Sequence, residues 1–468
     1  MKDMFEGTLQ QIIAVIVCTS SAFSDGMSYG WTAPIVPVLK SEDSPIRITE
    51  HEEGWLEQLY LTGGIAGLPL TIFFVDRIGR KGTLMCAGVI SMTGWILKAV
   101  AYRIEFLYVA RFLVGLAADV GFVATPMYVA EISDKKIRGF LAGFIQLMNL
   151  IGLLMVYAVG PIVPIYVSSI MGCVILTFQL ISFQFIPESP YYLLIKGKHD
   201  KAKHALQKLR SSENVDEELS DITKAVIRQQ SERGRPQDLV LIKSNRKAVI
   251  IMTFINGAQH FASISVMIMN LHTILEHGNS AYLQPLPTGI LFAAIMLAAA
   301  SVSGFFIDRF GRKALVISSS LMTGLSLLVL AVFFTLMRFM DTTSISWLPI
   351  VSVMFYSAVF RFGLGMVPIV LTSELFPAKV KALGMTFSDA MYLVFAMISV
   401  QVYQQLSELC GYDVPFYIFA LSCVLTALFC WWYIPETKGK TLEEIQFILK
   451  GEPYPHSVND VNKEKVPI

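Results

Sequence analysis

Charge is scarce in this chain. Asp, Glu, Lys and Arg make up 16% of 468 residues, against 54% hydrophobic and 12% aromatic. A soluble domain carries about 25% charge. So little polar surface cannot cover a soluble protein of this size, and the charges fall in short bursts between long apolar runs. An ordinary cytosolic enzyme and a disordered chain are excluded. A net charge of +1 leaves no basic field to hold a polyanion, which excludes a nucleic-acid binder. Cysteine is sparse and unpatterned. Cys18, Cys86, Cys173, Cys423 and Cys430 lie within apolar runs and Cys410 at the edge of one, with no disulfide or metal spacing. The seven histidines show no metal-ligand spacing either. There is no phosphate-cradling glycine loop and no nucleophile constellation, so no enzyme activity, metal or cofactor is expected. The first apolar run has the length of a full span and lacks a small-residue cleavage site, unlike a signal peptide. What remains is a polytopic membrane protein.

A helix crosses the bilayer core in about 20 residues. Candidate spans lie at 10–38, 55–75, 84–102, 106–130, 139–162 and 164–186, then at 247–272, 287–307, 314–338, 346–373, 381–405 and 413–434. Asp25, Gly26, Gly30 and Pro34 interrupt the first; Arg361, Gly363, Gly365 and Pro368 interrupt the tenth. Broken helices of this kind line cavities rather than lipid. The loop after span one sets Lys40 and Arg47 against Glu42, Asp43, Glu50, Glu52 and Glu53, whereas the next holds Arg77, Arg80 and Lys81. Basic loops stay cytoplasmic, so twelve spans place both termini inside. The polar stretch 188–246 reads as a cytoplasmic linker. Leu193, Leu194, Ala202, Ala205, Leu206 and Leu209 fall near helical spacing there, and 215–232 forms a second amphipathic helix.

Three unlike motifs repeat in the same order. Asp76-Arg77-Ile78-Gly79-Arg80-Lys81 recurs as Asp308-Arg309-Phe310-Gly311-Arg312-Lys313. Glu131 with Arg138 recurs as Glu374 with Lys381, and Pro187-Glu188-Ser189 as Pro435-Glu436-Thr437. The chain is therefore expected to be an all-α membrane protein of twelve transmembrane helices in two pseudo-symmetric six-helix bundles, 1–187 and 247–434. The linker 188–246 joins them and a cytoplasmic tail, 435–468, follows. Gly79 and Gly311 suit tight turns between spans. The repeated charges sit at cytoplasmic span ends, where they can pair when the halves close on the inside and separate when they open.

With these motifs placed, the chain resembles the sugar porter family of the major facilitator superfamily, and within it the insect facilitated trehalose transporters. Further matching stretches are Arg111-Phe112-Leu113-Val114-Gly115, Pro126-Met127-Tyr128-Val129-Ala130-Glu131, Gln146-Leu147 and Glu374-Leu375-Phe376-Pro377. Pro435 through Thr441, with Glu444, completes the set. The resemblance implies rocker-switch alternating access around a mid-membrane sugar site, in the plasma membrane, with the bilayer and a small sugar (trehalose or a hexose) as the only expected partners. Its gating set maps onto Asp76, Arg77, Arg80, Arg111, Glu131, Arg138, Glu188, Asp308, Arg309, Arg312, Glu374, Lys381 and Glu436.

Sugar hydroxyls leaving water need hydrogen-bonding side chains. Gln146 matches the family's sugar-contacting glutamine, and Gln259, His260, Ser265 and Asp389 occupy other contact positions. The pattern departs at several of these. His260 stands for a glutamine, Ser265 for an asparagine, Met296 for a polar contact, Ile369 for a tryptophan, Asp389 for an asparagine and Ala390 for a tryptophan. Tyr191 replaces an arginine after Pro-Glu-Ser-Pro. Asp25 and Asp119 are ionisable residues within spans and candidates for proton coupling, with Met27 at the coupling position of proton-driven relatives. The expected function is facilitated diffusion of a sugar. Alternatives are a proton-coupled symporter, a carrier of a non-sugar polar solute, and a sugar sensor that has lost transport.

Overall fold

The computed structural model describes residues 2–452 except 43, 45, 135, 136, 232–234, 279–283, 378, 439 and 441. Among them, 12 helices are long and apolar enough to cross a membrane. Spans one to six are Lys2–Tyr29 continued by Thr32–Lys40, Glu50–Arg77, Gly79–Ala99, Ile104–Ile132, Arg138–Val159 and Ile165–Phe183. Spans seven to twelve are Lys243–Phe261 continued by Ile264–His277, Pro285–Phe310, Arg312–Leu336, Leu348–Phe362 continued by Val367–Leu375, Lys381–Cys410 and Asp413–Tyr433. The two sets of six form the expected two bundles. An even number of spans returns the chain to its starting side. That side, with Arg80, Lys81, Arg312 and Lys313, is the basic side; the side of the 41–49 loop is the acidic side.

Three spans are broken, one more than the sequence reading expects. Span one breaks at Gly30 and Trp31, and span ten at Gly363–Met366. The unexpected break is in span seven at Ala262 and Ser263, where Ser263 holds φ +71°. Tertiary bonds satisfy the freed carbonyls. Ser422 Oγ donates to the Phe261 oxygen at 2.6 Å and Tyr356 Oη to the Ala262 oxygen at 2.7 Å. In span ten the Leu364 N–H donates to Ser319 Oγ at 2.9 Å, and Gln259 Nε2 donates to the Leu364 oxygen at 2.6 Å. Non-helical backbone at membrane depth persists only where protein pairs it in this way.

The 188–246 segment is folded onto the N-terminal half. Its helices include Pro190–Ile195, His199–Arg210 and Asp216–Ser231. The expected stripe of Leu193, Leu194, Ala202, Ala205, Leu206 and Leu209 is buried together with Val215, Ile222 and Val226. Lys208 Nζ donates to the Phe185 oxygen at 2.5 Å and Arg210 Nη1 to the Ile132 oxygen at 2.9 Å. Cations thus meet the unsatisfied carbonyls at the ends of spans six and four.

Within the halves, helices approach through glycine. A Cβ on Gly26 would collide with the Asn149 backbone oxygen of span five, whereas one on Gly139 would meet nothing within 4 Å. Gly26→Ala is therefore expected to cost about 1–3 kcal/mol or more by overpacking, and Gly139→Ala to cost nothing measurable. Thermal unfolding of the two purified variants checks this; equal midpoints would show that the contact relaxes freely.

Candidate functional site

On the basic side the three repeated motifs close into one network per half. In the first, Arg80 donates twice to Glu131 Oε1, from Nε at 3.0 Å and Nη2 at 2.8 Å. The Ser189 hydroxyl donates to the other oxygen of Glu131. Glu188 Oε1 accepts from the backbone N–H of Lys81 at 3.1 Å and of Ser189 at 2.8 Å. In the second, Arg312 Nη2 donates to Glu374 Oε1 at 3.0 Å, and Thr437 Oγ1 to Glu374 Oε2 at 2.6 Å. Glu436 accepts from the N–H of Arg312 at 3.0 Å and of Lys313 at 3.1 Å. The glutamates sit at the N-termini of spans three and nine, where orphan N–H groups and the helix dipole favour an anion. Burial pushes the Glu436 carboxyl up, but the backbone N–H groups of Lys438, Arg312, Lys313 and Thr437 outweigh it and hold it below the usual carboxylate range. The motif glycines explain themselves here. Gly79 and Gly311 hold φ +87° and +90°, and a Cβ on either would press into the glutamate carboxylate.

The other members of the gating set are placed differently. Asp76, Arg77 and Arg309 are exposed, with Arg77 lying 4.7 Å over the Phe73 ring. The Asp308 side chain lies outside the described residues. Arg138 Nη2 donates to the Ser133 oxygen at 3.3 Å, and Lys381 has no carboxylate partner among the described residues. Arg111 is a correction. Span four enters from the acidic side, so residue 111 is two turns from that end and far from the basic one. It is fully buried, with Nε donating to the Leu56 oxygen at 2.9 Å and Nη1 to the Ser28 oxygen at 2.5 Å.

The halves are joined near the acidic side. Glu57 Oε2, on span two, accepts from Asn270 Nδ2 of span seven at 3.1 Å and from Gln404 Nε2 of span eleven at 2.8 Å. Thr32 Oγ1 donates to the Met269 oxygen at 3.1 Å, Tyr157 Oη to the Ile268 oxygen at 2.5 Å and Gln58 Nε2 to the Met397 oxygen at 3.3 Å. No hydrogen bond or ion pair between described residues joins the halves near the basic side. The bundles are sealed at the acidic end.

Beneath the seal lies a polar centre. The Ser265 hydroxyl bonds His260 Nδ1 at 2.8 Å and, across the halves, the Tyr29 hydroxyl at 2.7 Å. The Tyr392 ring sits 4.2 Å from the His260 ring and faces Phe122 of the other half at 6.4 Å. The Asp119 and Asp389 carboxyls lie close to each other across the halves. Asp25 is half-buried beside Gly121 of span four. Gln146 is half-buried too, one and two turns before buried Leu150 and Leu153. It faces inward, yet stays accessible.

The candidate contacts are thus divided. His260, Ser265 and Asp389 join the centre, and Gln146 lies toward the basic side. Gln259 is already engaged by the break in span ten. The sequence reading missed Glu57, Tyr29 and Tyr392, and took Arg361 only for an interruption. One signal was available for two of these. Glu57 and Arg361 are charges inside expected spans, a placement that marks function.

Two mirrored six-helix halves around a polar centre, sealed at one end, define a membrane carrier. A family model described as sugar (and other) transporter matches residues 13–449, and the chain belongs to that family. The facilitated trehalose transporter Tret1 of Polypedilum vanderplanki is 27% identical, over 94% of this chain and 88% of its own length. Sugar transporter ERD6-like 6 of Arabidopsis thaliana is 27% identical, over 95% and 91%. Of the Drosophila virilis Tret1, 26% identical, the chain spans 49%. Among solved structures, the inward open conformation of the xylose transporter XylE from E. coli aligns with TM-score 0.76 at 20% identity, covering 93% of this chain and 99% of that one.

Proposed function

We propose that the protein carries a neutral or acidic sugar of hexose or disaccharide size across the plasma membrane by alternating access, without proton coupling, with its basic side and both termini in the cytoplasm. The family match supports a sugar, and the trehalose relatives support a disaccharide as one candidate. One observation carries the mechanism: the hydrogen bonds between the halves lie at the polar centre and toward the acidic end, and none between described residues joins the halves near the basic end. That is the arrangement of a carrier facing the cytoplasm. Reorientation breaks the seal and brings the two basic-side networks together, each moving as a unit because it closes within its own half. The concentration of basic residues on that side supports the orientation.

The test is counterflow of radiolabelled sugars by the purified protein in liposomes. Saturable exchange of at least one of glucose, xylose, trehalose and glucuronate is expected, with equilibration independent of a pH gradient. Gln146→Ala is expected to raise the half-saturating concentration about tenfold, the worth of one or two hydrogen bonds to the solute. A panel with no flux would defeat the reading, and accumulation driven by a pH gradient would replace diffusion with symport.

A further inference from the structure

We infer that the solute bears an acidic group, a carboxylate on a sugar, and that Arg361 receives it. This rests on the sugar-carrier reading. Arg361 ends the first part of span ten, at the break. It is only 7% exposed, and its Nε has no acceptor. No hydrogen bond or ion pair links its guanidinium to any described residue. A buried guanidinium carries a large desolvation cost that an anion must offset.

The surroundings offer no such anion but do offer the rest of a site. Its electrostatic neighbours are Tyr392 of span eleven, Tyr29 of span one and Tyr356 of its own helix, hydroxyl-bearing side chains from both halves. Asp389, the acid on the adjoining span, is turned to Asp119 of the other half. Asp25 lies against span four. His260 is fully buried, with Nδ1 engaged by Ser265 and Nε2 without a partner. A fork of N–H donors, an imidazole nitrogen and tyrosine hydroxyls match a carboxylate beside a ring of hydroxyls. A neutral sugar would leave the guanidinium uncompensated.

D-glucose and D-glucuronate test this, since they differ only at C6. Binding to the full-length protein in liposomes is read by intrinsic fluorescence, and flux by counterflow. Glucuronate is expected to half-saturate at a concentration roughly 10- to 100-fold below glucose, the span of one charge-assisted contact. Arg361→Gln is expected to bring that ratio to about one, and Arg361→Lys to keep part of it. A wild-type ratio of one or below overturns the inference without the variants, so misfolding of either cannot shelter it. An unchanged ratio in Arg361→Gln also overturns it. So does a saturable response to sodium chloride or phosphate alone that abolishes the glucuronate preference, which would mark an inorganic anion site. Flux of neutral sugars alone ends this inference and leaves the carrier reading standing; no flux of any sugar ends both.

Discussion

Arg80→Ala is expected to lower maximal uptake more than tenfold and the unfolding midpoint by several degrees, whereas Arg77→Ala, three residues earlier in the same motif, has a far smaller effect. The two arginines look alike in sequence and differ in environment. Arg80 is buried, and the side chains of its ion pair with Glu131 are 7% and 15% exposed. Removing one partner of a buried pair costs about 3–5 kcal/mol, because the other charge is left without compensation. Glu131 would keep only Ser189. Arg77 is exposed and over a phenylalanine ring, where a charge contributes about 0–1 kcal/mol. Arg312→Ala is expected to repeat the Arg80 result in the other half, since Glu374 would keep its bond from Thr437 but lose that from Arg312. Arg80→Lys is expected to rescue partially, because an ammonium cannot reproduce two N–H bonds to one carboxylate. The loss should appear in maximal rate rather than in half-saturation, as the network touches no part of the polar centre. Uptake curves and thermal unfolding of the four variants check this. Equal losses in Arg77→Ala and Arg80→Ala would show that the motif acts through its net charge alone.

The fold was legible because its causes are repetitive. Apolar runs of span length, alternating loop charge and three motifs at matched offsets all report the same two bundles. The break in span ten was legible from Gly363, Gly365 and Pro368. The break in span seven was not, because Ala262 and Ser263 carry no breaker signal. It is held by hydroxyls at Ser422 and Tyr356, distant in sequence. The same limit applies to the site. Each repeated motif showed that a charge was needed, but not that Gly79, Arg80, Glu131 and Glu188 serve one network. Tyr29 and Tyr392 read as ordinary apolar-span aromatics until Ser265 and His260 are set beside them. Arg111 matched a motif whose role was taken for cytoplasmic, although the direction of span four alone places it near the acidic side.

Glu57→Ala is expected to open the acidic side. Glu57 is fully buried and its Oε2 is the shared acceptor for Asn270 and Gln404, the side-chain pair that binds spans two, seven and eleven. Truncation leaves the buried Asn270 amide and the half-buried Gln404 amide unpaired in the sealed state, at about 1–3 kcal/mol for the buried one and less for the other. In the opened state water satisfies both, so the cost falls on one conformation only and shifts the balance between them. A difference of about 2.8 kcal/mol is a hundredfold change in that ratio. Cysteine at position 397 reports it, since the Met397 backbone lies at the seal beside Gln58. Cys410, which is exposed, is first replaced by serine. Labelling of Met397→Cys by a membrane-impermeant maleimide added on the acidic side is expected to accelerate roughly 30- to 100-fold in Glu57→Ala. Asn270→Ala and Gln404→Ala are each expected to give a smaller increase, because one bond to Glu57 survives. Maximal uptake should fall as labelling rises, since a carrier that cannot reseal one side cannot complete its cycle. Unaccelerated labelling with undiminished uptake would show that the seal is held by the Thr32, Tyr157 and Gln58 bonds, with Glu57 only filling space between them.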